Sequence, residues 1–385
     1  MAAARRASLQ GAFSMTPDTV EPAGEARREP AGHASIAVFR ALQLGDMLCA
    51  VPALRALRRG EPHARITLIG LPWAEQFAQR FAEYIDDFLP FPGAPGLAEQ
   101  PADAARLAAF FEQCRARRFD LAIQLHGSGT HTNRIVAQLG AAQTAGFMPA
   151  PGDGAAGGTA HPLDKTIPWP ESVPEIIRYT RLTQALGYGD WGEHLAFPLT
   201  RLDHAACRAL CEQHELPSQQ FAVFHPGARM PSRRWPAQRF ASVANWLSQR
   251  GIRIVVTGTA SEATLADELA HRLDVPCVNL CGRTSLGVMA ALIGRSKVLV
   301  CNDTGVSHIA AALRTPSVVI ACGSDVARWA PLDRERHHVL ANYPPCRPCM
   351  FDVCPYQHAC ATAIDVRDVT HQLEQMFESE AYNAA

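Results

Sequence analysis

The chain has no apolar run near the ~20 residues that a membrane-spanning helix needs. It has no Gly-x-x-x-x-Gly-Lys-Ser/Thr loop and no Gly-x-Gly-x-x-Gly fingerprint after its first strand-like run, which argues against P-loop NTPases and ordinary dinucleotide dehydrogenases. No obvious Asp-x-Asp metal motif is present, so nothing calls for a divalent cation. Neither sign of charge is in excess: 36 Lys and Arg stand against 37 Asp and Glu, with a pI of about 6.9. That balance gives no global attraction to nucleic acid or to anionic lipid. Residues 1–34 are rich in Ala, Arg, Glu and Pro but lack the apolar core of a secretory signal, and they read as a disordered tail.

What is present is enough for two domains: 385 residues, 48% of them hydrophobic. From Ile36 onward, short β-branched runs alternate with helical patterns of ten to fifteen residues, the mark of a doubly wound α/β fold with parallel sheets. Strands are expected near 36–40, 65–70, 85–89 and 119–125, with a helix over 47–58 that carries Pro52 in its first turn. Residues 149–170, rich in Gly and Pro, read as a surface excursion. The alternation restarts with strands at 221–225, 252–257, 276–280, 298–301 and 316–321, and a helix capped by Ser261. The expected division is 35–190 and 191–364, with a last helix over 365–378 packing back on the first domain. Eight of twelve cysteines lie singly in apolar segments, where they behave as small reduced hydrophobes, a cytosolic usage.

In such folds ligands sit at the carboxyl ends of the strands, so the polar turns after strands carry the chemistry. Three stand out. Asn302 to His308 joins a buried strand to an alanine-rich helix, and Asp303-Thr304-Gly305 opens that helix where unpaired N–H groups and a close backbone approach suit an anion. The loop from His225 to Pro236 concentrates Arg229, Arg233 and Arg234, fixed charge suited to diphosphate oxygens. Asp46 begins the helix after the first strand, where it would repel a phosphate, so it fits a base better than a phosphate ligand. At a helix N-terminus it is expected to keep a low pKa. His126, Ser128, His131 and Asn133, after the fourth strand, are candidates for contact with a second substrate.

Gly45-Asp46 with Pro52 to Leu54, the His225 to Pro236 loop with Arg233-Arg234-Trp235-Pro236, and Asn302 to His308 together resemble the heptosyltransferases of glycosyltransferase family 9 over roughly residues 36–377. The resemblance implies a GT-B fold of two Rossmann-like domains facing across a cleft. It also implies inverting, metal-independent transfer of a heptose from an ADP-sugar to a lipopolysaccharide-core acceptor. Asp46 then matches the general base, and Asp303, Thr304, Gly305 and His308 match the donor-sugar and diphosphate turn. Glu262 matches the residue that holds the ribose, and backbone near Thr284 lies by the nucleobase. The implied partners are a nucleotide-sugar donor and a lipid-linked glycan acceptor at the inner-membrane surface, met from the cytoplasm, with no further cofactor. The family often has Lys at the position of Arg233, and the two cations are not equivalent at a tight phosphate site. Cys346, Cys349, Cys354 and Cys360, with His358, are dense enough to make a candidate structural metal site. Two other readings stand beside transfer: a catalytically silent nucleotide-sugar-binding module in envelope glycan assembly, and a metal-dependent regulator built on those cysteines.

Overall fold

The computed structural model describes residues 32–149 and 162–384. For residues 1–31 the expectation of a disordered tail falls outside the described residues. Residues 33 and 34 are tied down: His33 Nδ1 lies 2.8 Å from the Glu61 carboxylate, and the Ala34 N–H donates to Asp120.

Among the described residues, twelve strands form two sheets. The first holds β1 (Ser35–Phe39), β2 (Arg65–Gly70), β3 (Asp87–Pro90), β4 (Leu121–Gln124), β5 (Gln143–Met148) and β6 (Lys165–Pro168), in the order β3-β2-β1-β4-β5-β6. The second holds β7 (Phe221–His225), β8 (Arg253–Val256), β9 (Val278–Asn279), β10 (Val298–Asn302), β11 (Ser317–Ile320) and β12 (His337–Leu340), in the order β12-β11-β10-β7-β8-β9. Every pairing is parallel. β7 and β10 are buried at every residue, as strands covered by helices on both faces must be, which is why they read as unbroken apolar runs.

Each sheet therefore repeats the same winding, and its order reverses once: between β1 and β4 in the first, between β7 and β10 in the second. A crevice opens at such a reversal because successive crossover helices lie on opposite faces. The turns that leave β1, β4, β7 and β10 are the ones that start at Arg40, Leu125, Pro226 and Asp303. The two-sheet GT-B architecture thus brings the three predicted polar turns, and the turn after β4, to one place.

Several local expectations change. The helix expected over 47–58 is two helices, Leu44–Cys49 and Val51–Gly60, because Pro52 offers no N–H to continue the first. The cap of the helix after β8 is Thr259 rather than Ser261: Glu262, three residues on, accepts from the Thr259 N–H at 2.7 Å and completes a capping box. The excursion over 149–170 contains edge strand β6, while residues 150–161 lie outside the described residues. Helix Arg201–Gln213 and strand β12 were not expected at all. The helix signal was there in Thr200 and Asp203, a reciprocal cap.

The last helix, Val366–Ala384, does not pack on the first domain. Its apolar residues Val369, Leu373 and Met376 join Phe240, Leu247 and Ile320 in the core of the second. The segment that leads into this helix is fastened to the same core at Trp235, whose indole donates to the Ile364 carbonyl at 3.1 Å. Between the domains, one cluster of buried side chains runs from Leu54 and Phe81 to Leu292 and Ile309, so the two halves share a core rather than a wet interface. Arg80 and Asp203, 2.7 Å apart, tie them on the side of helix Arg201–Gln213.

Candidate active site

The cleft between the carboxyl ends of the sheets encloses about 630 Å³ and is lined from both domains. On the first-domain side stand Gln43, Gly45, Asp46, Glu99, His126 and Gly127.

Arg40 directly follows β1 and is 1% exposed. Its Nε donates to the Asp46 carbonyl at 3.0 Å, its Nη1 donates to the Leu125 carbonyl, and its guanidinium lies 4.3 Å over the Tyr179 ring. A buried arginine so occupied is a fixed brace. It fastens the turn that carries Asp46 to the strand end that carries His126.

The Asp46 carboxylate caps its own helix, accepting from the Gln43 N–H at 3.2 Å. The expectation of a low pKa is overturned. Burial raises it above the ordinary carboxylate value, and the negative charge of Glu175 adds to that rise, while Arg40 and Arg328 pull the other way. The carboxylate is half-buried in the cleft wall rather than set on an open surface. His126 accepts from the Ala41 N–H at 3.3 Å and stacks on Phe39; burial, and then Arg40, push its pKa down to about 3, so it is neutral. Ser128 pairs with the Thr130 hydroxyl, and neither it, His131 nor Asn133 lines the cleft. Asn133 instead donates to the Phe147 carbonyl.

The second domain contributes Arg229, Arg233, Asp303, Thr304, Gly305 and His308. Thr304 caps helix Gly305–Leu313, its hydroxyl oxygen buried with no partner among the described residues. The Ser324 hydroxyl and Glu99 Oε2, also in the lining, are orphaned likewise. Buried polar atoms without partners are uncommon, and three around one cleft mark where a polar ligand belongs. His308 lies against Gly45, and burial lowers its pKa.

The arginine loop is held from two sides. Asn302, fully buried, accepts from the Trp235 N–H at 2.9 Å and donates to the Pro226 carbonyl at 2.7 Å. The cysteine-rich segment supports the other side: Ser232 N–H donates to Asp352 O at 2.9 Å, and Arg233 donates to the Cys349 carbonyl. Arg234 is spent on the loop itself, its Nε donating to Ala228 O at 2.9 Å, and it does not line the cleft. Glu262 and Thr284 do not line it either. Glu262 fills the space beside Gly227, where a Cβ would stand 1.9 Å from its Oε1, and so abuts the neighbour of the cleft residue Ala228.

Cys346, Cys349, Cys354 and Cys360 are free thiols around one small cavity of about 30 Å³. Among the described residues no group of three or more His, Cys, Asp or Glu is placed to hold a metal ion. The segment's visible task is to carry backbone carbonyls to the arginine loop.

Sequence reasoning missed Arg328 and Ser324, which follow β11, and Glu175, which opens helix Glu175–Ala185. The first two obey the same rule of polar turns after parallel strands and were open to it. Glu175 was not, because its partners lie far away in the chain.

A sheet pair wound in this way, with an anion-suited helix start on one lip and a desolvated carboxylate on the other, defines a nucleotide-sugar glycosyltransferase of GT-B type. The model of glycosyltransferase family 9 (heptosyltransferase) matches residues 107–360, and the chain belongs to that family. Lipopolysaccharide heptosyltransferase 2 of Escherichia coli K12 is 28% identical over 287 residues, covering 72% of this chain and 79% of the relative. Lipooligosaccharide heptosyltransferase 2 of Haemophilus ducreyi is 36% identical over 160 residues, 40% of this chain and 42% of the relative. In fold, the family 9 glycosyltransferase from Veillonella parvula superposes with a TM-score of 0.73 at 20% identity, covering 90% of this chain and 98% of the other. The E. coli ADP-heptose LPS heptosyltransferase II gives 0.68 at 22% identity, with 90% and 99% covered. Among the described residues no helix is long and apolar enough to cross a membrane.

Proposed function

We propose that the enzyme transfers a heptose from ADP-heptose to a lipopolysaccharide-core acceptor with inversion, and that Asp46 is its general base. The observation that carries this is the pairing, in one cleft, of the raised-pKa carboxylate of Asp46 with the Asp303-Thr304-Gly305 helix start and the Arg229 and Arg233 side chains. The family and its heptosyltransferase relatives supply the donor and acceptor class.

In this reading the acceptor hydroxyl attacks the anomeric carbon from the side of Asp46, the bond from that carbon to the diphosphate oxygen breaks, and ADP departs. The hydroxyl proton passes to the Asp46 carboxylate. One displacement inverts the anomeric centre. Charge that develops on the departing diphosphate is met by Arg229, Arg233 and the N–H groups at Thr304 and Gly305, oriented before the reaction and partly shielded from water. The orphaned Thr304 hydroxyl gains a phosphate or sugar oxygen. Asp303 and His308 hold the sugar, Glu262 the ribose, and the backbone at Thr284 the adenine edge. Arg234 acts on the donor only through the loop it stiffens. Of the acceptor-side candidates, His126 stays a neutral hydrogen-bonding group at the cleft wall, and Ser128 is dropped. The acceptor is lipid-linked, so the reaction takes place at the cytoplasmic surface of the inner membrane.

Incubation with ADP-heptose and heptose-deficient lipopolysaccharide tests the reading. ADP release should match the mass gained by the acceptor. A chain that binds ADP yet yields neither product would overturn it.

A further inference from the structure

Glu175 is the most heavily solicited anion near the cleft, and it faces a residue from the opposite domain. Its side chain is fully buried. Arg328, from the short helix after β11, reaches across and grips both carboxylate oxygens, Nε to Oε2 at 2.7 Å and Nη2 to Oε1 at 3.1 Å. On the first-domain side Arg178 donates to Oε2 and the Tyr179 hydroxyl to Oε1. The flat faces are covered too: the Arg178 guanidinium lies 4.0 Å over Trp169, and that of Arg328 lies 4.4 Å over Trp329. Burial alone would raise the Glu175 pKa, but the bonds and charge of Arg328 hold it below the ordinary value, so it is ionised. Tyr179 then carries Arg40 on its ring, and Arg40 holds the Asp46 carbonyl.

Arg328 also lines the cleft, and its Nη1 has no partner among the described residues. Two of its three nitrogens are thus committed to the first domain, and the residue lines the same cleft as the Asp303-Thr304-Gly305 turn of the second. A forked guanidinium can serve both at once in a way that a lysine ammonium, a point charge, cannot.

We propose that Arg328 is a further ligand of the donor's diphosphate, and that Glu175 is the positioning residue that presents it from across the cleft. Anion binding on the second domain then depends on a residue of the first. The inference rests on the donor reading given above, but it can fail separately.

The test is calorimetric titration of ADP, adenosine and inorganic pyrophosphate into the full chain and into Arg328→Lys and Glu175→Gln, with melting curves beside each. ADP should bind Arg328→Lys about tenfold more weakly, the loss expected for one charge-assisted contact, with adenosine unchanged. Glu175→Gln is the sharper variant. Removing an anion from beside a diphosphate should tighten ADP by simple electrostatics, whereas loss of positioning should weaken it. Unchanged or tighter ADP binding in a folded Glu175→Gln overturns the inference and leaves the donor reading standing. Should that variant not fold, unchanged ADP affinity in Arg328→Lys overturns it instead. A wild-type chain that binds pyrophosphate but not ADP sinks the nucleotide reading, and the pyrophosphate affinities of the variants still decide the role of Arg328.

Discussion

Gly45 and Gly305 meet backbone to backbone at the floor of the cleft. A Cβ on Gly45 would stand 3.2 Å from the Gly305 Cα and 3.0 Å from the His308 ring, and one on Gly305 would stand 3.2 Å from the Gly45 nitrogen. The helix that carries the base and the helix that receives the anion thus touch at their N-terminal turns, one from each domain. Alanine at either position pushes the two reactive lips apart. Gly305→Ala should cost roughly 1–3 kcal/mol of stability through overpacking, and it should lower kcat/KM by more than that loss of folded protein accounts for. Thermal melting beside steady-state kinetics checks this, and unaltered kinetics would show that the contact is not a spacing device.

Asp46→Asn keeps the size of the side chain and removes the proton acceptor. Transfer should fall by about 10²–10⁴-fold, the range for a positioned general base, with ADP affinity retained. Retained transfer in the folded variant takes Asp46 out of the mechanism.

The same residue sets an acid limb. Its pKa is raised, so the active carboxylate form is lost as pH falls through a value above the ordinary 3.8. The profile of kcat/KM should therefore rise with pH through a midpoint above 3.8. Glu175→Gln removes a neighbouring negative charge that raises this pKa, and should move the midpoint down. A profile flat across the whole range in which the protein is folded would argue against a carboxylate base.

Stability should decline in acid well before the carboxylates protonate. Burial pushes His126 down to about 3 and His337 down to about 4, from an ordinary 6.5. Below 6.5 the unfolded chain binds protons that the folded chain refuses, so this stability is complete above pH 6.5 and drains away as pH falls toward 4. The loss is on the order of a few kcal/mol. Melting temperature against pH measures it, and replacing His337 with Asn, which can still bond Ser317, should flatten the slope.

Arg233 and Arg234 should separate in function although they are neighbours in sequence. Arg233→Gln should raise the donor KM by about tenfold or more, because its guanidinium borders the cleft. Arg234→Gln should act weakly on KM and mainly on the stability of the loop, since its Nε serves Ala228. Equal effects on KM would show that both reach the donor.

Much of this molecule was legible in its sequence. Local patterns carry the strands β1, β7, β10 and β11, because a buried parallel strand must be apolar along its whole length. The rule that turns after parallel strands face the ligand located Asp46, Arg233, Asp303, Thr304, Gly305 and His308, and all six line the cleft. Half-buried β12 leaves too little pattern to read, and β9, expected over 276–280, keeps only two paired residues.

Tertiary structure decided what depends on contacts between distant segments. It gave the last helix to the second domain, by matching the apolar face of Val369 and Leu373 to a gap beside Phe240 that no local pattern describes. It raised the pKa of Asp46 where the sequence pointed low, since burial is a property of the assembled cleft. And it joined Glu175 to Arg328, 153 residues apart, so that an arginine of the cleft lining is held by a carboxylate from the other domain.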